Sequence, residues 1–550
     1  MKKISIADYL LTRLSELGIT DIFGVPGDYN LLFLDHIINC PSQSWVGNCN
    51  ELNAAYAADG YARIRGAAAI VTTFGVGELS AINGIAGSYA EYLPVVNIVG
   101  APATTMQKEG AIMHHTFGTG DFRVFINMFE KISADVAVLD HADKAAEHID
   151  RVLTTCWVKK QPVYISLPSN MVDVEIDAPT QPLPLVYPDS NPDSVAELVS
   201  RATQLIRQAK SPVILLDICA ARHPMKALIH TLLDQTGLPF ATMNMGKAII
   251  NESHPGFLGG YSGDLSAPGT QERIEQADCI ISFGTIMSDF NTGGFSSSIK
   301  ASANIEIHSD HVKLKYALYP KVYFNAVLPA LIQALAGYHY TEKSSALPRP
   351  EYQPLPLPIT QQRFWLNMGQ YFKEQDIIIA ETGTSMFGVL ETPIPDNATV
   401  IVQALWGSIG YSVGALLGAA LADRSRRTLL FVGDGSFQLT AQELSSVLRH
   451  QLCPIVFLLN NAGYTIERVI HGPNMPYNDV QPWQYAELSR IFGENVFAVK
   501  VSTEQDLAEA LLQADKQSDK LCFIEVMMEA GDCPDVLRRL GKACDMKNTA

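Results

Sequence analysis

The feature of this chain that most constrains its fold is a repeated alternation between short apolar runs and longer amphipathic segments. The runs are rich in β-branched residues and lack a polar residue at every second position, which predicts strands buried on both faces of parallel sheets. The sequence therefore predicts an α/β protein with doubly wound parallel sheets. The runs are AAIVTT from Ala68, PVVNIVG from Pro94, PVYISLP from Pro162, SPVILLD from Ser211, DCIISFG from Asp278, DIIIA from Asp376, RTLLFVGDG from Arg427, PIVFLLNN from Pro454 and LCFIEVMM from Leu521.

Two proline-rich stretches divide the 550 residues into three parts of similar length. They cover 176–194 and 344–360, lack apolar periodicity, and are typical of extended connectors between domains. A chain of this length is also too long for one ordinary hydrophobic core. We therefore predict three α/β domains, at 1–180, 190–343 and 358–550.

Composition limits the partners and the location of the protein. Forty basic residues against 57 acidic ones give a net charge of −17, which argues against nucleic acid or an anionic membrane as the main partner. No apolar run approaches the roughly 20 residues that cross a bilayer. Ile6, Leu10, Leu14 and Leu17 recur at helical spacing among charged residues, which indicates an amphipathic helix and not a signal peptide. The nine cysteines are scattered, with no C-x-x-C pair, so we predict reduced thiols and a cytoplasmic protein.

Polar residues and glycines follow two of the predicted strands in the last third of the chain. Gly433-Asp434-Gly435-Ser436 follows RTLLFV, and Asn460-Asn461-Ala462-Gly463 follows PIVFLL. Glycines at a strand end allow a tight turn that brings backbone N–H groups against a phosphate. Asp434 and Asn461 supply side-chain oxygens, and Mg²⁺ prefers oxygen ligands shared between protein and phosphates. The two patterns together predict a magnesium and phosphate site.

The spacing between these patterns, 24 residues, resembles the thiamine-diphosphate signature. Further motifs extend the resemblance along the chain: FGVPGDYN, NELNAAYAADGYAR, HHTFGTGDF, ETGTSMFG, LWGSIGY and NNAGYTIERVIHG. Together they are similar from end to end to the pyruvate/indolepyruvate decarboxylase family. The resemblance implies a pyrimidine-binding domain, a middle domain and a diphosphate-binding domain. It also implies a cofactor shared between two subunits, a homodimer as the minimal active unit, and commonly a homotetramer.

The resemblance assigns roles to individual residues. The metal ligands are Asp434, Asn461 and the carbonyl of Gly463. The cofactor-binding residues are Glu51, Thr382, Thr384, Gly407, Ile409, Gly433, Asp434, Gly435, Ser436, Asn461, Tyr464 and Ile466. The catalytic residues are Glu51, Asp28, His114, His115 and Glu467. The substrate pocket is formed by Phe290, Met386, Ile466 and Ile470, with Thr382 beside them.

In the family, the glutamate matched by Glu51 binds the pyrimidine ring and helps the cofactor to form its reactive ylide. Ile409 matches the residue that keeps the cofactor bent, and the Gly407 carbonyl accepts from its amino group. After decarboxylation an enamine is protonated, and Asp28, the two histidines and Glu467 match the acid–base cluster. Carboxylates near imidazoles titrate as a coupled set. Taken as a metal pair, His114 and His115 lack a third ligand at a suitable sequence spacing.

The resemblance implies a 2-oxo acid decarboxylase, with pyruvate favoured because an aromatic side chain stands at position 290. Indolepyruvate, phenylpyruvate and branched-chain 2-oxo acids remain alternatives, since apolar pockets discriminate a methylene by only about 1–3 kcal/mol. A carboligase such as acetolactate synthase and a flavin-dependent oxidase are alternatives within the cofactor class. A nucleotide-dependent dehydrogenase is disfavoured because the loop at Gly24 to Gly27 is not a dinucleotide fingerprint. A catalytically silent paralogue is disfavoured by the intact set Glu51, Asp434 and Glu467.

Overall fold

The structure of the protein is a computed structural model that describes residues 2–341 and 351–548, with side chains up to residue 542. Part of the predicted connector 344–360 therefore lies outside the described residues. The described chain contains three large sheets and one small antiparallel pair of strands.

The first large sheet has six strands, all parallel, and is flanked by helices. Its strand order is 3-2-4-5-7-6, and a separate antiparallel pair joins strands 1 and 8. The strands of this part are β1 Lys3–Ser5, β2 Asp21–Gly24, β3 Ser44–Gly47, β4 Ala68–Thr73, β5 Val95–Ala101, β6 Val136–Val138, β7 Val163–Pro168 and β8 Glu175–Asp177. The helices are α1 Ile6–Glu16, α2 Leu31–Asn39, α3 Glu51–Arg65, α4 Val76–Ala90, α5 Thr104–Lys108, α6 Val124–Phe129 and α7 Ala142–Lys159.

The middle sheet has seven strands in the order 11-10-9-12-13-14-15, and its last three strands are joined antiparallel. Its strands are β9 Pro212–Leu216, β10 Phe240–Thr242, β11 Phe257–Gly260, β12 Cys279–Phe283, β13 Asn304–Ile307, β14 His311–Leu314 and β15 Ala317–Pro320. Its helices are α8 Pro192–Gln208, α9 Ile218–Arg222, α10 Lys226–Thr236, α11 Thr270–Glu275 and α12 Phe324–Ala334. The connections between the last three strands are too short for a crossover helix, so these strands can only run antiparallel.

The third sheet has six parallel strands in the order 17-16-18-19-21-20. Its strands are β16 Ile377–Ala380, β17 Thr399–Ile401, β18 Thr428–Gly433, β19 Ile455–Asn460, β20 Val496–Val501 and β21 Leu521–Met527. Its helices are α13 Gln361–Tyr371, α14 Thr384–Glu391, α15 Tyr411–Ala422, α16 Asp434–Thr440, α17 Leu444–Arg449, α18 Thr465–Ile470, α19 Tyr485–Ile491, α20 Glu504–Lys516 and α21 Asp535–Asn548.

The predicted α/β fold with three doubly wound parallel sheets is confirmed, with the antiparallel extension of the middle sheet as an addition. Each predicted apolar run forms a strand, and the predicted amphipathic amino-terminal helix is α1. All six residues of β4 are buried, because helices cover both faces of the sheet. Within the described residues, no helix is both long enough and apolar enough to span a membrane.

The first and third sheets are joined by close packing of α3 against α15. A Cβ atom on Gly418 would lie 1.8 Å from the Ala57 carbonyl oxygen, and one on Gly60 would lie 2.3 Å from that of Ala415. The two backbones are therefore in direct contact. Gly414 faces the stretch 53–57 and Gly418 faces 57–61. The chain just before α15 and its first residue pack on the carboxyl-terminal half of α3, since Arg63 Nη1 donates to the Val402 carbonyl oxygen at 3.0 Å and Tyr411 Oη donates to Asp59 at 2.5 Å.

We expect Gly418→Ala to destabilise the protein, although alanine is normally favoured over glycine inside a helix by about 1 kcal/mol. The added methyl group overlaps the backbone of α3, and overpacking of this kind costs about 1–3 kcal/mol or more. Gly369→Ala is the matched control, because a Cβ there meets only the Thr392 Cγ2 atom at 3.2 Å and the Pro393 Cδ atom at 3.9 Å. Denaturant unfolding measures both variants, and equal stability of the two would contradict the proposed backbone contact.

Candidate active site

Asp434 and Asn461 emerge from neighbouring strands at one edge of the third sheet. β18 and β19 pair in parallel, with Gly433 opposite Leu459, so the residues that follow each strand meet. Asp434 is 1% exposed and Asn461 is 3% exposed. The predicted proximity of these two side chains is thus observed, in a buried setting.

The Asp434 carboxylate is held by backbone donors and by no cation of the described chain. It accepts hydrogen bonds from Gly435 N at 2.9 Å and Gly463 N at 3.0 Å. Burial raises the pKa of Asp434 to about 6, and the backbone N–H groups only partly oppose this effect. A buried carboxylate of this kind is well suited to a bound cation, which would restore the charged form.

The side-chain amide of Asn461 completes a cluster of oxygen atoms. One of its two terminal atoms lies 3.2 Å from Asp434 Oδ1 and 2.8 Å from the Gly463 carbonyl oxygen. With nitrogen at that position, the amide donates to both oxygens. With oxygen at that position, three oxygens converge without a hydrogen between them, as they do around a metal ion. The donor set is therefore able to hold Mg²⁺, and a half-turn of one amide switches between the two arrangements.

Two glycines shape the space around this cluster. Gly463 has φ +124°, and a Cβ there would lie 2.0 Å from the Asn478 carbonyl oxygen, so only glycine presents its carbonyl in this way. Gly433 has an ordinary φ of −74°, and a Cβ on it would meet no atom within 4 Å. The backbone at Gly433 is therefore open to an approaching diphosphate group.

The strand next to β18 leads to a second group of predicted cofactor residues. β16 ends at Ala380, Thr382 follows, and α14 begins at Thr384. The Thr382 hydroxyl donates to the Gln403 carbonyl oxygen at 3.2 Å. This bond connects the segment to the loop that carries two further predicted cofactor residues, Gly407 and Ile409. Gly407 has φ +63°, and the Ile409 side chain is exposed. The structure thus places Thr382 and Thr384 next to the loop that carries Gly407 and Ile409.

Glu51 is the first residue of α3 and faces the start of α4. Burial raises the pKa of its carboxyl group above the ordinary value, and the only hydrogen bond that opposes this shift comes from the residue's own backbone. Its Oε1 atom lies 3.2 Å from the place where a Cβ on Gly77 would stand. Among the described residues no other side chain binds this partly buried carboxyl group, which is therefore suited to exchange a proton with a bound heterocycle.

Asp28, His114 and His115 form a cluster in the first sheet region. Asp28 Oδ2 lies 2.7 Å from His114 Nε2, and Asp28 Oδ1 lies 3.9 Å from His115 Nε2. The Tyr29 ring stacks on His114 with centroids 4.9 Å apart. The expectation that the histidine pair lacks a third metal ligand was wrong, because the turn after β2 brings Asp28 to the pair and the three ligand atoms lie within 4.8 Å.

The short helix α18 carries Ile466, Glu467 and Ile470, and Tyr464 precedes it. Glu467 is exposed, and among the described residues its carboxylate has no ion-pair partner. The neighbouring Arg468 binds Asp479 at 2.6 Å and so does not neutralise Glu467. Tyr464 packs over Gly435, since a Cβ there would lie 2.5 Å from the Tyr464 ring.

The predicted pocket residues Phe290 and Met386 belong to one apolar cluster with Ile466. The carbonyl oxygen of Phe290 accepts hydrogen bonds from Asn244 Nδ2 and Ser262 Oγ, both at 2.8 Å. These two bonds fix the backbone that carries the aromatic ring. Ile470 is half-buried on the following turn of α18 and is not part of that cluster.

Comparison with known proteins identifies the family. Residues 4–122 match the thiamine pyrophosphate enzyme N-terminal TPP binding domain, 199–335 match the central domain, and 382–526 match the C-terminal TPP binding domain. A pyruvate decarboxylase of Aspergillus fumigatus is 44% identical to this chain, over 100% of this chain and 98% of the relative. Pyruvate decarboxylase isozyme 2 of Saccharomyces cerevisiae is 44% identical, with 98% of each chain covered. The Kluyveromyces lactis pyruvate decarboxylase is 44% identical, with 100% of each chain covered.

The chain belongs to the pyruvate decarboxylase family of thiamine pyrophosphate enzymes. The two TPP binding domains of this family correspond to the two sheets that carry the candidate site residues. The open space beside Gly433 and the oxygen cluster at Asp434 fit the diphosphate and metal of such a cofactor. The residues present are therefore compatible with the group that the family binds.

Within one chain, the candidate residues of this family member fall into two separate groups. Among the described residues, no hydrogen bond or ion pair joins the Asp28, His114 and His115 cluster to the Asp434 and Asn461 cluster. Apolar side chains near the first cluster are exposed, with Ile112 70% and Phe117 60% exposed. One chain alone thus leaves exposed apolar side chains beside the first cluster.

Two buried carboxylates at the site were missed by the sequence analysis. Glu443 is fully buried and accepts hydrogen bonds from Asn48 Nδ2 at 2.8 Å, Cys49 N at 3.2 Å and Asn53 Nδ2 at 2.8 Å, which fixes the start of α3 beside Glu51. Glu381 lies directly before Thr382. Both stand in segments whose pattern is that of ordinary helices or strand ends, so no local signal marks them.

We expect Asp434→Asn to weaken magnesium-dependent binding of thiamine diphosphate by at least about a hundredfold, because the buried charge that attracts the cation is lost. Glu494→Gln is the control, since it removes from the same part of the chain an exposed carboxylate that forms no ion pair among the described residues. Titration calorimetry with thiamine diphosphate, in the presence and absence of Mg²⁺, measures the effect. Unchanged affinity of the Asp434 variant would remove this residue from the metal site.

Proposed function

We propose that the protein catalyses the non-oxidative decarboxylation of pyruvate to acetaldehyde and carbon dioxide, with thiamine diphosphate and Mg²⁺ as cofactors. The observation that carries the proposal is the convergence of Asp434, Asn461 and the Gly463 carbonyl on one point, close to the open backbone at Gly433. The full-length relatives named pyruvate decarboxylase support the choice of reaction and substrate.

In this proposal bound thiamine diphosphate supplies the carbon nucleophile and the electron sink for loss of carbon dioxide. Asp434, Asn461 and the Gly463 carbonyl would hold Mg²⁺, and the backbone of Gly433 to Ser436 would contact the diphosphate. Tyr464, which packs over Gly435, and Ile466 would border the cofactor, and Thr382 and Thr384 would approach it from the end of the neighbouring strand β16. Together these contacts orient the reacting group, which is catalysis by proximity.

Glu51 has the role of holding a proton against the pyrimidine ring. Its partly buried carboxyl group, with a raised pKa, can both accept a hydrogen bond and donate a proton there. The Gly407 carbonyl would accept a hydrogen bond from the cofactor's amino group, and the Ile409 side chain would support the bound cofactor. The two residues flank Ser408, whose hydroxyl oxygen lies 2.6 Å from Tyr56 Oη, so the loop that carries them packs on the helix that begins at Glu51.

The Asp28, His114 and His115 cluster and Glu467 protonate the reaction product and assist its release. His114 Nε2 lies 2.7 Å from Asp28 Oδ2, a hydrogen-bond distance that supports transfer of a proton through these two groups. Phe290, Met386, Ile466 and Ile470 line the side-chain pocket. An acid cluster that delivers a proton favours aldehyde release over ligation to a second carbonyl, which disfavours a carboligase such as acetolactate synthase.

The organisation that we propose has three domains, at 1–180, 190–343 and 358–550, and a homodimer as the minimal active unit, assembling further into a homotetramer. The separation of the two residue groups within one chain supports a site shared between subunits. The exposed apolar side chains Ile112, Phe117, Trp406 and Ile409 support burial in such an interface. The eight described cysteines are free thiols, which supports a cytoplasmic location.

We expect Glu51→Gln to retain thiamine diphosphate binding within a fewfold while lowering kcat by about 10²–10⁴, since an amide cannot exchange the proton. Calorimetry gives the affinity, and acetaldehyde release coupled to an alcohol dehydrogenase gives the rate. Glu109→Gln, in the same part of the chain, controls for a general loss of negative charge. A Glu51 variant with wild-type turnover would contradict the proton-transfer role.

We expect pyruvate to give the highest kcat/KM among pyruvate, indolepyruvate, phenylpyruvate and a branched 2-oxo acid. Phe290→Ala should shift that preference toward the larger acids by about 10- to 100-fold, because a half-buried aromatic ring is replaced by space. Phe295→Ala, a change at an exposed phenylalanine five residues away, is the control. If an aromatic acid is preferred by the wild type, the decarboxylase proposal stands but the assignment of pyruvate fails.

A further inference from the structure

Glu381 is a buried carboxylate to which neither the relatives' names nor the recognised motifs assign a role. It follows β16 directly and is 1% exposed. Within the described residues no lysine, arginine or histidine forms an ion pair with it, unlike Asp376 at the other end of the same strand, which binds Arg427 at 2.6 Å. A buried carboxylate without a cation must be satisfied by hydrogen-bond donors around it.

The donors around Glu381 come from two segments of the chain. Its Oε2 atom accepts hydrogen bonds from the Ser412 hydroxyl at 2.6 Å and from Ser412 N at 3.2 Å. Its Oε1 atom accepts from Thr382 N at 3.1 Å. The N–H of Gly410 also points at the carboxylate and stabilises its charged form. A carboxylate offers about four acceptor sites, so the ionised side chain matches these donors.

Burying the ionised Glu381 carboxylate costs free energy, so a specific role is needed to explain why it is kept. Burial raises the pKa of Glu381 to about 7 despite the four donors. A glutamine would fill the same volume, but its amide nitrogen would face N–H groups and leave donors unpaired. Replacing one partner of a buried hydrogen-bonded set leaves the others unsatisfied, so the carboxylate is needed for its acceptor capacity.

Glu381 and its neighbour Thr382 together fix both ends of one loop. Thr382 Oγ1 donates to the Gln403 carbonyl oxygen at 3.2 Å, at the start of the loop. Glu381 binds Gly410 and Ser412, at its end. Inside the loop, Ser408 N donates to Gln403 Oε1 at 2.8 Å. The loop between residues 403 and 412 carries Gly407 and Ile409.

We propose that Glu381 is a positioning residue for cofactor activation: its carboxylate fixes the 403–412 loop so that the Gly407 carbonyl and the Ile409 side chain hold the cofactor in its reactive conformation. This inference rests on the proposed function, since it assigns Glu381 a role toward the same cofactor. Glu381 itself touches the loop and not the reacting atoms. Its effect is therefore geometric and passes through Gly410 and Ser412.

The test compares Glu381→Gln and Ser412→Ala with wild type and with Asp376→Asn. The Asp376 variant alters a buried carboxylate on the same strand, at the end remote from the candidate site. For each protein, the exchange rate of the thiazolium C2 proton of the bound cofactor is measured without substrate, by acid quench in deuterated buffer and proton NMR. The affinity for thiamine diphosphate with Mg²⁺ and the unfolding midpoint are measured alongside.

We expect C2-proton exchange to slow by at least about tenfold in Glu381→Gln, since misplacement by about 1 Å can cost a hundredfold in rate. Affinity for thiamine diphosphate should stay within a fewfold, because the diphosphate and metal contacts are untouched. Ser412→Ala should slow exchange to an intermediate extent. Asp376→Asn should lower the unfolding midpoint, but its C2-proton exchange rate should equal that of the wild type.

Wild-type exchange in Glu381→Gln, or equal slowing in Asp376→Asn, would overturn the positioning role. If Glu381→Gln does not fold, the Ser412→Ala variant tests the positioning role, because it removes one hydroxyl and leaves the carboxylate in place. Wild-type exchange in that variant would then reject the proposal. If the wild type itself neither binds thiamine diphosphate nor exchanges the proton, it is the proposed function that fails.

Discussion

The rest of the site depends on the direct backbone contact between α3 and α15. Gly60, Gly414 and Gly418 allow the two helices to approach until their backbones touch. The interface is close-packed, so it resists sliding. The Tyr56 and Ser408 hydroxyl oxygens, 2.6 Å apart, also join α3 to the loop that precedes α15. Two sheets formed by distant parts of the chain thus share one fixed frame.

Buried carboxylates fix the loops next to the α3–α15 helix pair. Glu443 accepts hydrogen bonds from the segment just before Glu51, and Glu381 accepts them from the segment just after Ile409. Asp59 holds Arg63 and Tyr411 between the same two helices, with Tyr411 Oη 2.5 Å away. Buried polar groups with complete sets of partners specify one geometry, because any alternative arrangement leaves a charge unsatisfied. The cost of burial appears in the raised pKa of Glu381, about 7.

The two parts of the candidate site differ in how far a single chain completes them. The oxygen cluster at Asp434 lies at the carboxyl edge of one sheet and is fully formed, since its three contributors follow adjacent strands. The Asp28, His114 and His115 cluster is also formed, but it stands half-exposed beside apolar residues such as Ile112 and Phe117. Large exposed apolar side chains around a polar cluster are typical of surfaces that another molecule covers. This difference is the physical basis for proposing a site shared between subunits.

The sequence by itself determined nine of the 21 described strands, the parallel sheets and the residues that follow β18 and β19. These features are local: a β-branched run buried on both faces, or a glycine and an acid at a strand end, is visible in a few consecutive residues. Recognition of the longer motifs added Glu51, Asp28 and the histidine pair. The antiparallel extension of the middle sheet was not predicted, because its short strands β14 and β15 carry no distinct apolar run.

Only the tertiary structure decided which groups meet. Asp28 and His114 are 86 positions apart, and Glu443 is 390 positions from Asn53, so no local pattern could pair them. Glu381 stands in an ordinary strand end, and its function depends on Ser412, which the fold brings to it across another strand and loop. Local patterns specify elements because backbone geometry repeats over a few residues. The hydrogen-bond partners of a buried charge come from elements that are distant in sequence. They are determined by how those elements pack, and they meet only in the folded chain.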